Sequence, residues 1–390
     1  MPRVKTGLER LRDEGRRLLG NRRVGLLCHQ ASVTGELEHA TEVVRSIRGA
    51  RLVALFAPEH GLHGAAQDQV QVGTRRDGTS GLPIWSLYGK TRQPTPAMLR
   101  GLDLLVADLQ DVGARYYTFV WTLTLAMVAC ARAGVSVLVL DRPNPLGGLR
   151  VEGNVLEDRF ASFVGLHPLP VRHGMTIGEL AGYLNARRQI GARLSVVRMS
   201  EWRREMVWAA TGLPWVPPSP NMATPDTARV YPGGCLIEGT NLSEGRGTTR
   251  PFEWIGAPFI EPERWAAALS AQRLPGVVFR PCVFQPTFHK WKGQECGGVQ
   301  LHVNDPERFK PYLTGLALIA TARRLYPRGF AWRKPPYEFE RKRLPIDLLL
   351  GSERVRRQLE RGLPLPEIEA SWRGELGAFR RARRKFLLYR

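Results

Sequence analysis

The sequence lacks the features that would place it in several familiar classes. No apolar run approaches the roughly 18 residues that a membrane span needs, and the charged first segment has no apolar core typical of a secretion signal. As written, the chain is therefore expected to be cytoplasmic, with no transmembrane segment. Its five cysteines show no C-x-x-C spacing, so they predict neither a disulfide framework nor a zinc site.

Lysine is scarce although the chain is strongly basic. Of the 57 basic residues 49 are arginine, and the net charge is +21. The arginines are spread along the whole chain, and no zinc-finger spacing, RNP-type aromatic motif or zipper-linked basic region accompanies them. We therefore expect no specific nucleic-acid partner, whereas a general attraction to polyanions such as cell-wall polymers follows from the charge.

The nucleotide-binding signatures G-x-G-x-x-G and G-x-x-x-x-G-K-[ST] are absent, so no cofactor is predicted. What the first half does contain is a series of apolar runs separated by helical patterns. Near-continuous apolar strands between helices predict an α/β fold with a mostly parallel sheet covered on both faces. The predicted strands lie at residues 23–30, 50–58, 102–110, 135–143 and 192–200.

A proline-rich stretch, "LPWVPPSPNMATPDTARVYPGG", interrupts this alternation. Such a change in composition is typical of a domain boundary, and we place it between residues 232 and 233. Residues 1–232 form the predicted parallel-sheet domain. Residues 233–390 combine a loop rich in glycine and threonine, two strand-like runs and helical segments, which predicts a smaller α+β domain.

Polar side chains follow three of the predicted strands. Glu59 comes after the second, Gln110, Asp111 and Arg115 come after the third, and Asn144 comes after the fourth. Ligands of such sheets bind outside the carboxyl ends of the strands. These residues therefore predict a cleft for a polar substrate.

Two further polar stretches are expected to face this cleft. "PVRHGMTIGELA" presents Arg172 and His173 before a helix that Thr176 and Glu179 should cap. "EGTNLSEGRGTTRPFEWIGAP", residues 238–258, has little to bury. A segment of this composition between aromatic residues is typical of a loop shaped around a ligand.

The stretch "LFAPEHGLHG" also allows a metal site, because His60, His63 and Asp68 could be ligands. We expect His60 and His173 to hold hydrogen bonds around Glu59 and predict no metal.

Taken together, the motifs resemble one known family. "LFAPEHG", "DLQDVGARYYT", "LDRPNPLGG", "HGMTIGELA", "PPSPNM", "YPGGCLIEGTNLSEGRGTTRPFEWIGAP", "PTFHKWKGQECGGVQLHV" and "FRRARRKFLLY" occur in the order found in the NamZ-type exo-β-N-acetylmuramidases. This is a family of peptidoglycan-fragment hydrolases long catalogued as a domain of unknown function. The resemblance runs from about residue 23 to the C-terminus, and Ala223 departs from it where the family pattern has proline.

The resemblance implies a Rossmann-like N-terminal domain, a smaller C-terminal domain and an active-site cleft between them. It also implies release of a terminal N-acetylmuramic acid (MurNAc) from the non-reducing end of MurNAc-GlcNAc saccharides, with Glu59 as the general acid. The predicted substrate-binding residues are His60, Gln110, Arg115, Tyr116, Asn144, Arg172, His173, Asn221, Asn241, Glu244, Arg246 and Glu253. Among them Arg115, Arg172 and Arg246 are the candidates for the lactyl carboxylate of MurNAc.

The second catalytic group has several candidates. Asp111 is the leading carboxylate, with Glu244 and Glu253 as rivals. Alternatively the 2-acetamido group of the sugar attacks its own anomeric carbon, and Asp111 or Asn144 only orients it.

The missing export signal contrasts with the family, whose members are expected to be secreted or periplasmic. The alternatives to a muramidase are a non-catalytic glycan-binding protein of the cell wall and a hydrolase of a different β-hexosaminide.

Overall fold

The computed structural model describes residues 3–67, 73 and 75–390. Its strands are β1 Arg23–Leu27, β2 Arg51–Ala57, β3 Arg75–Arg76, β4 Pro83–Ser86, β5 Leu104–Ala107, β6 Ser136–Leu140, β7 Glu152–Val155, β8 Pro170–Arg172, β9 Leu194–Val197, β10 Trp254–Ala257, β11 Val277–Phe284 and β12 Cys296–Val303. Its helices are α1 Gly7–Leu19, α2 Ala40–Ser46, α3 Pro96–Leu99, α4 Phe119–Ala133, α5 Ile177–Arg187, α6 Pro225–Gly234, α7 Pro262–Ser270, α8 Pro311–Leu325, α9 Pro345–Leu350, α10 Glu353–Glu360, α11 Leu365–Ala370 and α12 Arg373–Arg383.

The first half is built on a sheet with strand order β3-β4-β2-β1-β5-β6-β9. Only β3 pairs antiparallel with its neighbour, and the other pairs are parallel. The chain runs outward from β1 to β4 and then returns to the other side of β1 to add β5, β6 and β9. The predicted mostly parallel sheet is therefore confirmed, and its topological switch point, where ligands of such sheets bind, lies between β1 and β5.

Both faces of this sheet are buried, as the continuous apolar strands predict. In β5, Leu105 and Ala107 belong to one hydrophobic cluster, whereas Leu104 and Val106 belong to another. Side chains alternate between the two faces of a strand, so each face has its own packed layer. Helix α4 supplies much of the first layer.

The second half contains a three-stranded antiparallel sheet of order β10-β12-β11, against which α7 packs. This confirms the predicted smaller α+β domain. Helix α6 runs through the predicted boundary at 232/233 and packs on α8. The largest hydrophobic cluster is shared by both halves, with Trp121 and Tyr231 from the first and Phe252 and Trp265 from the second.

Asp141, which follows β6, is bonded by Gly7, the first residue of α1, and by Tyr389, which follows α12. Gly7 N donates a hydrogen bond to Asp141 O at 2.8 Å, and Tyr389 OH donates to Asp141 Oδ2 at 2.6 Å. Thr176 Oγ1 donates to the same carboxylate at 2.7 Å. Burial raises the pKa of Asp141 to about 6, although the hydrogen bond from Tyr389 and the others oppose this shift.

All five cysteines are unpaired, and four of them are buried. Within the described ranges, no helix is both long and apolar enough to cross a bilayer.

Candidate active site

Glu59 lies in the turn directly after β2, at the carboxyl end of the main sheet. Its side chain is 5% exposed, and Thr118 Oγ1, just before α4, donates a hydrogen bond to Glu59 Oε2 at 2.6 Å. The next residue, His60, has φ 70°, a value that non-glycine residues rarely adopt. His60 Nδ1 donates to Ala66 O at 2.8 Å. The turn is therefore held in a strained form that fixes Glu59.

Glu59 lines a cavity of about 40 Å³ between the two halves of the chain. Of the predicted site residues, His60, Tyr116, Asn221 and Arg246 also line it. The rest of the lining is Tyr117, Thr118, Val164, Ser219, Met222, Tyr231, Cys235, Glu238, Phe252, Tyr337 and Glu338. Its wall thus combines aromatic rings with three glutamates, which is suited to a polar ligand with apolar faces.

The cavity is narrow in this conformation. Its volume of about 40 Å³ is near that of a single water molecule, about 30 Å³, and far below the several hundred Å³ of typical ligand pockets. A saccharide therefore enters only after lining side chains or loops move apart.

Tyr88 lies near two of the carboxylates at this site. Its hydroxyl donates to Glu338 Oε2 at 3.1 Å. Burial, followed by the charges of Glu59 and Glu338, raises the pKa of Tyr88 well above its usual value. The phenol consequently keeps its proton and acts as a donor to Glu338 in the field of both carboxylates.

Sequence reasoning missed both Tyr88 and Glu338. A signal existed for Tyr88, because it closely follows β4, and β4 is the parallel neighbour of β2. The carboxyl ends of parallel neighbours lie side by side, so Tyr88 reaches Glu59. Glu338 lies 250 residues further along the chain than Tyr88, and no local pattern marks it.

Arg246 reaches the cavity from the long loop of the second half. Its Nη2 lies 2.8 Å from Glu238 Oε1, and its Nε lies 3.3 Å from Glu244 Oε1. Tyr337 OH donates to the other oxygen of Glu238 at 2.7 Å. The guanidinium is therefore oriented by two carboxylates at the cavity wall.

Glu244, one of the candidates for the second catalytic group, belongs to a buried ionic cluster. Its carboxylate lies 2.9 Å from Lys290 Nζ and 3.0 Å from His289 Nδ1. Burial opposes ionisation, but Lys290, His289 and Arg246 together lower the pKa of Glu244 well below its usual value. Glu244 thus remains charged and is absent from the cavity lining.

Glycines let the long loop fold tightly behind Arg246. Gly245 and Gly247 have φ of 75° and 78°, which only glycine adopts without strain. A Cβ on Gly247 would lie 2.7 Å from Phe288 N, and one on Gly245 would lie 2.5 Å from Trp254 O. The glycine-rich composition of the loop is explained by this close packing.

The predicted rim residues of the main sheet form a hydrogen-bonded set outside the cavity lining. Gln110 Nε2 donates to Asp111 O at 2.8 Å, and Asn144 Nδ2 donates to Met175 O at 2.9 Å. Met175 N donates to His173 Nδ1 at 3.2 Å, and His173 Nε2 lies 3.5 Å from Asp111 Oδ2. In this conformation neighbouring loops are connected by the side chains of Gln110, Asp111, Asn144 and His173.

Arg115 is fully buried and contacts the backbone. Its guanidinium donates to Asn154 O at 3.0 Å, Leu169 O at 2.8 Å and Leu349 O at 2.7 Å. Arg115 therefore joins the first half to α9 and is not among the residues of the cavity wall.

Arg172 lies on β8 and lines a different pocket, together with Glu152. Its Nη2 donates to Leu146 O at 2.6 Å. Burial lowers the pKa of Arg172 to about 10, despite the opposing charge of Glu152.

Asn241 and Glu253 also lie outside the cavity lining. Asn241 Nδ2 donates to Gly329 O at 2.7 Å. Glu253 accepts from Thr227 Oγ1 at 2.9 Å, and burial raises its pKa. Asn241 therefore holds the second half together, and Glu253 joins it to Thr227 of the first half.

No group of three or more His, Cys, Asp or Glu that could hold a metal ion occurs in the described part of the chain. His63 is exposed, and Asp68 lies outside the described residues.

The fold and the site define a two-domain α/β protein with buried carboxylates in the cavity between its halves. The family model for the N-terminal part of the exo-β-N-acetylmuramidase NamZ matches residues 24–226, and the model for its C-terminal part matches residues 229–389. The chain belongs to the NamZ family.

Relatives of known name and structure agree with this assignment. The chain is 45% identical to the peptidoglycan β-N-acetylmuramidase NamZ of Bacillus subtilis strain 168, over 100% of this chain and 92% of that protein. A DUF1343 family protein from Bacteroides fragilis NCTC 9343 superposes with a TM-score of 0.92 at 35% identity, over 100% of this chain and 99% of that one. A second DUF1343 protein from the same strain superposes with a TM-score of 0.79 at 29% identity, again over 100% and 99%.

Proposed function

We propose that this chain is an exo-β-N-acetylmuramidase that releases MurNAc from the non-reducing end of peptidoglycan MurNAc-GlcNAc saccharides. Membership of the NamZ family supports the substrate class. The observation that carries the proposal is the position of Glu59, held by Thr118 in a cavity with two further glutamates.

Glu59 is the proposed general acid. Hydrolysis of a glycoside needs a proton for the leaving oxygen and stabilisation of an oxocarbenium-like transition state. The Thr118 hydroxyl donates a hydrogen bond to Glu59 Oε2, and Glu59 is buried. The carboxyl group is thereby oriented toward the glycosidic oxygen of a bound saccharide.

The proposed partner of Glu59 is Glu338, acting with Tyr88. The Tyr88 hydroxyl donates to Glu338, and the charges of Glu59 and Glu338 both raise the pKa of the phenol, so the two carboxylates lie close to the same proton donor. Asp111 was the first choice from the sequence, but its carboxylate accepts from Gly113 N at 2.7 Å and is not part of the cavity wall. A carboxylate on this wall can stabilise the developing positive charge or accept a proton from water.

Arg246 is the proposed contact of the lactyl carboxylate that distinguishes MurNAc from GlcNAc. It is the predicted arginine that lines the cavity, whereas Arg115 and Arg172 do not. A guanidinium binds a carboxylate through two parallel hydrogen bonds. To do so, Arg246 would exchange its contact with Glu238 or Glu244 for the substrate.

The test compares wild-type protein with Glu59→Gln on the p-nitrophenyl glycosides of β-MurNAc and β-GlcNAc. We expect activity on the β-MurNAc glycoside alone. On MurNAc-GlcNAc, whose leaving sugar needs a proton more than p-nitrophenolate does, Glu59→Gln should release MurNAc about 10²-fold more slowly. Glu263→Gln, a change at an exposed glutamate of α7, is the matched control and should retain full activity.

The alternatives give different results. A hydrolase of another β-hexosaminide would cleave the β-GlcNAc glycoside instead. A glycan-binding protein would cleave neither substrate while folded, and Glu59→Gln would leave its affinity for MurNAc-GlcNAc unchanged. Either result would contradict the proposal.

A further inference from the structure

A second, much larger pocket adjoins the cavity that contains Glu59. Its volume is about 730 Å³, within the usual range of ligand sites. Two aromatic rings, Phe163 and Phe339, and two cations, Lys90 and Arg92, line it together with aliphatic groups such as Leu166. Its chemistry therefore differs from that of the carboxylate-rich cavity.

Two chain segments contribute to both sites. Val164 and Glu338 line the cavity, and their neighbours Phe163 and Phe339 line the pocket. Tyr88 stands between the two sites, because its hydroxyl contacts Glu338 and its ring centroid lies 5.5 Å from Phe163 and 6.0 Å from Phe339. A ligand that extends out of the cavity past Tyr88 would enter this pocket.

The turn that carries Phe339 is unfavourable for the residues it contains. Tyr337 and Glu340 exchange two backbone hydrogen bonds of 2.9 Å, and the residues between them, Glu338 and Phe339, have φ of 46° and 68°. Such turns strongly prefer Asn-Gly. Phe339 is nevertheless 46% exposed, so burial of its ring does not explain the strained turn. Backbone strain of this kind clusters where ligands are held.

Arg92 is placed to bind an anion. Its guanidinium carbon lies 4.2 Å from the ring centroid of Phe339 and 5.2 Å from that of Phe163. Both rings orient the guanidinium, but it forms no ion pair with any described residue. Lys90, which is exposed, adds a second positive charge at the pocket.

We propose that this pocket binds the leaving side of the glycan, a saccharide that carries a carboxylate. This inference rests on the proposed function. The apolar face of a sugar ring packs on Phe339 and Phe163, and Arg92 with Lys90 binds the lactyl carboxylate of the next MurNAc along the chain. The protein would therefore distinguish longer peptidoglycan fragments from the disaccharide.

The direct test measures binding of GlcNAc-MurNAc, which has no MurNAc at its non-reducing end and so resembles the fragment that leaves. Isothermal titration with wild-type protein, Phe339→Ala and Arg92→Gln gives the affinities, with GlcNAc-GlcNAc as the uncharged comparison. We expect each substitution to weaken GlcNAc-MurNAc binding by about tenfold. Arg92→Gln should also abolish the preference for the charged disaccharide.

Two matched controls separate this effect from a general loss of folding. Leu37→Ala removes another exposed apolar side chain, 58% exposed, and Arg324→Gln removes an exposed charge on α8. Both should bind like wild type, and all variants should melt within a few degrees of it. Equal affinities for all five proteins, or no preference of wild type for GlcNAc-MurNAc, would overturn the proposal.

Hydrolysis provides a second readout. We expect wild type to have a higher kcat/KM on MurNAc-GlcNAc-MurNAc-GlcNAc than on MurNAc-GlcNAc, and Arg92→Gln to reduce this advantage through KM. If wild type hydrolyses neither saccharide, the proposed function fails, while the binding test still decides the role of the pocket. If it hydrolyses both equally well and Arg92→Gln changes neither KM, only the pocket proposal fails.

Discussion

The two halves of the chain use polar side chains in opposite ways. At the strand ends of the first half, Gln110, Asp111, Asn144 and His173 bond to backbone groups and to one another. From the second half, Glu238, Arg246 and Glu338 reach the cavity wall. The first half thus contributes Glu59 on a rigid frame, and the second half supplies most of the charge that surrounds it.

The site is assembled from both kinds of polar side chain. A side chain at a strand end has a fixed position only if the loop that carries it is rigid. The polar residues of the first half provide this rigidity through their hydrogen bonds. Loops of the second half then add groups that no single strand end could bring together. Substitutions of polar residues in each half of the chain test this difference.

The largest effect is expected at Arg115. In Arg115→Met, the carbonyls of Asn154, Leu169 and Leu349 lose their buried donor, which should lower the free energy of unfolding by about 3–5 kcal/mol. Urea unfolding followed by circular dichroism measures this loss. Arg324→Met, an exposed change, is the control. A small loss in Arg115→Met would mean that the two halves do not depend on this side chain.

A smaller effect, on activity, should separate Glu338 from Asp111. Glu338→Gln removes a carboxylate from the cavity wall and should lower kcat by about 10²-fold, with little change in melting temperature. Asp111→Asn disturbs the loop hydrogen bonds and should lower the melting temperature while kcat falls less. Steady-state kinetics and thermal melts of both variants distinguish the catalytic role from the structural one. The reverse pattern would restore Asp111 as the second catalytic group.

The smallest effect concerns stability as a function of pH. Burial raises the pKa of Glu152 to about 7, although the Leu313 amide and Arg172 oppose the shift. Because the folded protein binds this proton more tightly than the unfolded chain, the stabilisation is complete below about pH 4. It is lost as the pH rises toward 7.

Glu152→Gln should therefore weaken the fall in stability between about pH 4 and 7 by roughly 2 kcal/mol. Urea unfolding at several pH values gives both curves. Parallel curves for wild type and variant would show that Glu152 does not titrate in this way.

The sequence alone predicts the parallel sheet of the first half, but it does not predict all the residues of the site. Apolar strands between helices determined the parallel sheet, and a strand end placed Glu59 at its rim. The use of Arg115 could not be predicted, because a guanidinium that binds carbonyls has the same local sequence as one that binds a substrate. Glu338 depends on a contact with Tyr88 across 250 residues, and such pairings arise from tertiary packing that no local pattern encodes.

Asp141 is bonded by residues that a ribosome adds far apart in time. Gly7 N donates to its carbonyl, and Tyr389 donates to its carboxylate from the second half. A ribosome adds roughly 5–20 residues per second, and Tyr389 follows Asp141 by 248 residues. The carboxylate at the end of β6 therefore lacks this hydrogen bond until the second half has been synthesised. A strand that is made early is completed by a side chain that is made much later.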